Sequence, residues 1–124
     1  MRRKIYHPLA DWLIKQFLRV LKKKIIKIRI VRKLRDPYTQ CKVLGLCVKK
    51  DKSQEIYIYI EIQQKLSEKV LTAIHELGHA TWWYASETEI RKFESLMWRY
   101  SSTKMKLKFL EALRKKTRLG RQPK

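Results

Sequence analysis

Hydrophobic spacing changes register twice along this chain. After Pro8, the residues Leu9, Trp12, Leu13, Phe17, Val20 and Leu21 recur at helical spacing, which predicts a helix to about Lys23. Ile26, Ile28 and Ile30 then alternate with Lys27 and Arg29, the pattern of a strand with one wet face. Asp36-Pro37 predicts a turn. Residues 41–49 read as a second strand loosened by Gly45, and Lys50-Asp51-Lys52-Ser53 as a hairpin-type connection. Ile56, Ile58, Ile60 and Ile62 alternate with Tyr57, Tyr59 and Glu61 in the clearest strand. From Lys65 the period becomes helical, with breaks near Ser86 and near Ser101-Ser102-Thr103, and Gly120 is expected to end the last helix. The expected fold is α+β: an N-terminal helix, a small three-stranded sheet, then three helices.

The chain has 124 residues, enough for one domain spanning 1–124 and too few for two. With 44% hydrophobic residues it can bury a modest core, so disorder throughout is not expected. No apolar run approaches a membrane span, and the basic N-terminus leads into an amphipathic pattern rather than the apolar centre of a signal peptide. A cytoplasmic protein without a membrane partner is the expectation. The absence of Asn hints at a hot habitat. Cys41 and Cys47 lie too far apart on one extended strand to pair, and read as free buried thiols.

Charge alters this picture. The formal net charge is +20, and it is segregated. Residues 1–50 carry +14, residues 51–103 carry −2 and residues 104–124 carry +8. Such flanks suit a solvated cationic face or a nucleic-acid partner. No zinc-finger cysteine pairs, RNP-like aromatic strand or clear helix-turn-helix supports the second reading directly.

Candidate chemistry concentrates in His75-Glu76-Leu77-Gly78-His79. Histidines four apart on a helix project from one side and can share a metal ion, with zinc the natural occupant. At about 100° per residue, Leu66, Val70, Ala73, Ile74, Leu77, Ala80 and Tyr84 form a stripe opposite the histidines. Histidines buried for packing would sit on that stripe; ligands facing a cleft would sit opposite it. Glu76 lies beside His79 and can take a proton from water without being a ligand. By the same rotation Trp82 falls on the metal side, while Trp83 is expected to pack near the helix end. A third ligand is needed. His7, just before Pro8, reads as a helix cap. The remaining candidates are Glu87, Glu94 and Glu89 on the next helix. Ser86-Glu87-Thr88-Glu89 has the form of a capping box, which gives Glu89 a structural task. Tyr84, Arg91 and Tyr100 are candidate donors to a developing negative charge.

These residues resemble the gluzincin zinc metallopeptidases, most closely the minigluzincins and more distantly the ImmA/IrrE-like peptidases. The resemblance covers about residues 54–100: an alternating strand, a helix with His75-Glu76-x-x-His79, and a second helix with Glu87-x-x-Ile90-x-x-Phe93. It implies an active-site helix followed by a glutamate helix and a C-terminal helix. His75, His79 and Glu87 are implied as zinc ligands and Glu76 as general base and acid. Peptide would bind as an added strand along the Ile56–Ile62 strand or its neighbour. The chain departs from the family pattern at Ile90, where a small residue is usual, and at Arg91, where an Asp or Asn often orients a ligand histidine. SprT-like, DNA-associated metalloproteases are a further comparison, but their downstream histidine ligand is absent.

The expected function is zinc-dependent hydrolysis of peptide or unfolded-protein substrates. A latent form is conceivable, with the basic tail of residues 114–124 or a neighbouring molecule in the cleft. The alternative is a basic nucleic-acid-binding module with a structural or vestigial zinc site. The two meet in a protease acting on nucleoprotein.

Overall fold

The structure is a computed structural model that describes residues 8–123. Its element order is α1 (Pro8–Leu21), β1 (Ile26–Val31), β2 (Gly45–Lys49), β3 (Ile56–Glu61), α2 (Leu66–Thr81), α3 (Glu87–Tyr100), α4 (Thr103–Lys116) and β4 (Thr117–Leu119). The fold is α+β. The four strands form one mixed sheet in the order β2-β3-β1-β4. β1 runs parallel to both β3 and β4, and β2 runs antiparallel to β3.

The alternating strands explain the layering. Ile26, Ile28, Ile58 and Ile60 face the helices and meet Ile14, Phe17, Ile74, Leu77, Met97 and Phe109 in the main core. The other sheet face carries a small cluster of Val31, Leu34 and Tyr59, covered by Val43 and Leu46. Asp11 fastens α1 to the α3–α4 joint. Its Oδ1 accepts the Ser102 N–H at 2.7 Å and its Oδ2 accepts the Ser102 hydroxyl at 2.9 Å. Ser102 in turn caps α4 by accepting the Met105 N–H.

Three expectations are corrected. The sheet has four strands, because α4 stops at Lys116 and the chain becomes extended well before Gly120. β1 has a free edge next to the end of α4, and β4 fills it. The tail therefore runs along β1 at the sheet edge opposite β2, and residues 114–123 do not lie in the cleft described below. Second, residues 41–44 are not part of β2. They close a separate hairpin in which Val43 N–H donates to Leu34 O and Asp36 N–H donates to Cys41 O. Cys41 is accordingly exposed and only Cys47 is half-buried; both are free. Third, the outer residues of the expected stripe on α2 are not buried: Leu66 begins the helix in solvent, and Tyr84 lies beyond its end. His7 falls outside the described residues. No helix among the described residues is long and apolar enough to cross a membrane.

Glu61 joins β3 to the hairpin. Its Oε2 accepts the Leu34 N–H at 2.8 Å and its Oε1 accepts the Gln63 N–H at 2.9 Å. Burial pushes this carboxyl upward, but the backbone N–H groups outweigh it and hold the group below its ordinary 4.5. A depressed folded value means its stabilisation is present above the unfolded value and lost as pH falls through the folded one. Glu61→Gln should thus lower stability by about 1 kcal/mol at neutral pH, after discounting for a partly solvated carboxylate. The gap between variant and wild type should close below the carboxylate range; urea titrations at several pH values measure it.

Candidate metal centre

α2 presents Val70, Ala73, Ile74 and Leu77 to the sheet and holds His75 and His79 on its other side. The helix ends at Thr81, and Trp82 leaves helical geometry with φ −118° and ψ 72°. Extrapolating the helical rotation past Thr81 therefore misplaces both tryptophans. Trp82 turns inward between Phe17 and Phe93, with ring centroids 5.5 Å and 4.9 Å away. Trp83 instead lines the cleft, with the Lys49 ammonium 5.9 Å from its ring centroid.

The chain re-enters helix at a complete capping box. Ser86 Oγ accepts the Glu89 N–H at 3.2 Å, and Glu89 Oε1 accepts the Ser86 N–H at 3.1 Å. This starts α3 at Glu87 and turns Glu89 back on the cap. Glu87 then reaches both histidines. Its Oε1 lies 2.7 Å from His79 Nε2 and its Oε2 lies 3.0 Å from His75 Nε2. The two Nε2 atoms are 3.2 Å apart. Donors around a tetrahedral zinc with bonds of about 2.0–2.1 Å sit roughly 3.3 Å from one another. The observed spacings are somewhat shorter, with Glu87 turning a different oxygen to each histidine, and His75, His79 and Glu87 form a group that can hold a metal ion. Glu94 belongs beside the group. Its Oε2 is 3.0 Å from His75 Nδ1, where it can accept an N–H and so reserve Nε2 of the neutral ring for a metal ion.

Why α3 lies so close is visible at Ile90. A Cβ at Gly78 would stand 3.1 Å from Ile90 Cγ2 and 3.2 Å from Ile90 Cδ1. The close approach is small against large: the glycine is on α2 and the large residue on α3. Arg91, the next residue, lines the cleft, and Glu94 is the carboxylate against His75 Nδ1.

The group opens on a cleft of about 970 Å³ between α2, α3 and β2. β2 is the sheet edge on this side, and Gly45 lets it approach α2. A Cβ at position 45 would come within 2.4 Å of Thr72 Cγ2 and 3.4 Å of Glu76 Oε2. Gln64 holds the strand there, donating to Leu44 O at 2.9 Å while its Oε1 accepts the Thr72 hydroxyl at 2.7 Å. Glu76 is 6% exposed. Burial pushes its carboxyl up to about 7, with His75 opposing and the Glu87 and Glu94 charges adding. The hydrogen bond to Glu94 holds His75 above the usual histidine range, against its burial. Burial pushes Glu87 up, yet the two histidines more than offset it and leave it low. Cys47 also lines the cleft, but burial and the Glu76 charge push its thiol up to about 12. It stays protonated and outside the ligand group. Of the three candidate donors to negative charge, Arg91 lines the cleft and Tyr84 and Tyr100 do not.

Comparison with protein-family models, curated proteins and solved structures finds no match to this chain.

The hydrogen-bond pattern separates the three glutamates. Glu87→Ala should abolish tight binding of a single divalent ion. Glu94→Gln should weaken it about 10–100-fold, the usual effect of losing a histidine-orienting carboxylate. Glu89→Gln should leave it unchanged. Competition with a chromophoric chelator measures all three. Wild-type affinity in Glu87→Ala would remove that residue from the ligand set.

Proposed function

We propose that the protein is a zinc-dependent metallopeptidase, resembling the gluzincins in its ligand set. The observation that carries this reading is the convergence of His75, His79 and Glu87 beside the buried Glu76, at the wall of an open cleft next to a sheet edge. Two imidazole nitrogens with a carboxylate favour zinc. Structural zinc sites are closed by protein ligands, whereas a group of three that opens on a cleft leaves a position for substrate. A glutamate adjacent to the ligands is unnecessary for holding zinc and necessary for hydrolysis.

Bound zinc supplies a Lewis acid that polarises the scissile carbonyl and makes water acidic near neutral pH. Glu76 supplies the proton transfers. Its carboxylate takes a proton from the attacking water and returns it to the leaving amine nitrogen. Glu94 keeps His75 in the tautomer whose Nε2 is a ligand. β2 offers its unpaired edge to an extended peptide; β3 is covered by neighbours on both sides and cannot. Leu44 and Trp83 are exposed large apolar side chains lining the cleft, which suits unfolded polypeptide. Arg91 lines the same cleft, and we assign its guanidinium the task of meeting developing negative charge.

Glu76→Gln should retain about one zinc per chain and lower cleavage of an unstructured protein at least ~100-fold. Metal content and cleavage are measured on the same preparations. Equal cleavage by both, or zinc binding with no cleavage by wild type, would defeat the hydrolytic reading. Arg91→Gln should lower kcat by about 10- to 100-fold with little change in KM, since its contribution arises mainly in the transition state. A rise in KM alone would make it a substrate-binding residue instead.

A further inference from the structure

Away from the cleft, the strongest unassigned feature is charge. Residues 22–35 contain eight Lys/Arg and no acid, and residues 115–121 contain four Lys/Arg and no acid. They are remote in sequence, and β4 lays one beside the other. Because β4 is parallel to β1, the two stretches run in the same direction, with Arg29 paired to Arg118. At one end Lys116 Nζ donates to Lys23 O at 2.9 Å. At the other, Arg35 N–H donates to Gln122 Oε1 at 2.9 Å. Between them, Arg29 passes over Gly120, where an added Cβ would stand 2.6 Å from Arg29 Cβ.

Opposing charge along this strip is sparse. Glu55 lies 3.8 Å from Lys27, and Glu111 lies 3.8 Å from Lys115 while bound more closely to Arg114. The Glu61 carboxylate is occupied by backbone N–H groups. Burial, together with the Lys27 charge, holds Lys116 below the usual lysine range. Crowding like charges costs stability, and an external polyanion removes that cost.

We propose that the β1–β4 edge binds the phosphodiester backbone of a nucleic acid. The strip is linear: six strand residues span about 20 Å, long enough to follow several consecutive phosphates of one strand. Arginine forks match phosphate geometry. One partly exposed aromatic ring adjoins the strip, backed by the buried Tyr59. Half-buried Tyr57 stacks beside Tyr59 at 6.0 Å, with the Arg29 guanidinium 5.7 Å and the Lys50 ammonium 5.5 Å from its ring centroid. Cations with an aromatic plane suit a nucleic acid better than an acidic peptide or a lipid headgroup. Contacts to phosphate make the binding sequence-independent. The strip and the cleft occupy opposite edges of the sheet, so each can be filled while the other is. The proposal stands independently of the peptidase reading.

The test is fluorescence anisotropy with labelled duplex DNA, single-stranded DNA and RNA across a salt series. The strip variant is Arg32→Gln/Arg118→Gln/Arg121→Gln, all exposed positions. A control with the same loss of charge is Lys92→Gln/Lys104→Gln/Lys108→Gln on the helices. Circular dichroism checks folding, and Arg32→Lys/Arg118→Lys/Arg121→Lys restores the charge. The strip variant should bind at least tenfold more weakly, with the slope of log K against log salt reduced by about 3, near 0.9 per lost phosphate contact. The control should stay within about threefold of wild type, and the lysine variant should recover most of the slope. The nucleic acid held most tightly identifies the source of the phosphates. Equal losses in strip and control variants would overturn the proposal. So would no binding of any nucleic acid at low salt, or equally tight binding of polyglutamate or of phosphatidylcholine–phosphatidylserine vesicles.

Discussion

The contact of Ile90 with Gly78 sets the metal-binding geometry. Gly78 immediately precedes His79 and follows His75 by three residues. Glu87 and Glu94 lie three before and four after Ile90, on the same side of α3. One point of close packing therefore fixes two histidines from one helix against two carboxylates from the other. Ile90 is fully buried, and burying a side chain of that size is worth about 1.5–3 kcal/mol. That apolar gain holds together groups that would otherwise favour water. Glu76 is the clearest case: it lies two residues before Gly78, with its carboxyl raised by burial. The capping box at Ser86 and Glu89 supplies the remaining degree of freedom, since it decides where α3 begins and hence which glutamate faces the histidines.

Charge is distributed to match. Four of the eight acids of the central segment gather at one cleft: Glu87 and Glu94 on the histidines, Glu68 and Glu76 along its wall. The flanking segments carry the cations, and the sheet order sends many of them to the other edge. A positive cluster beside the cleft would compete with a metal ion for the same carboxylates. Keeping the two apart lets each keep its own partner.

Much of this was legible in the sequence because it rests on local periodicity. Spacing alone put His75 and His79 together, and Ser86-x-x-Glu89 located the start of α3. The ordering of helix, strands and helices followed from where the period changes. What was not legible depends on contacts between distant segments. β4 has three residues and no alternating signal; it exists because β1 leaves an edge open beside the end of α4. Glu94 reads as a rival ligand in sequence, and only the crossing of α2 and α3 shows it on the Nδ1 side of His75. The tryptophans exchange roles because the helix stops one residue before the first of them. Cys41 fails as a core residue because the Asp36 turn builds its own hairpin, with Tyr38 and Thr39 N–H groups on Asp36 Oδ1.

The two sheet edges pose one problem with two answers. An unpaired edge strand invites pairing with another copy of the chain. At β4 the edge is three residues long and carries Arg118, too short and too charged to extend a sheet. At β2 the edge must stay available if peptide is to pair there. Its five residues run from Gly45, against Glu76, to Lys49, and no strand shields them. Short length limits self-pairing, but the larger protection is electrostatic. Two copies approaching edge to edge each bring a net +20. An uncharged segment of unfolded polypeptide meets no such barrier, and an acidic one is attracted. If one edge takes a polyanion and the other a peptide, the same charge serves both, since it also opposes self-pairing at the open edge.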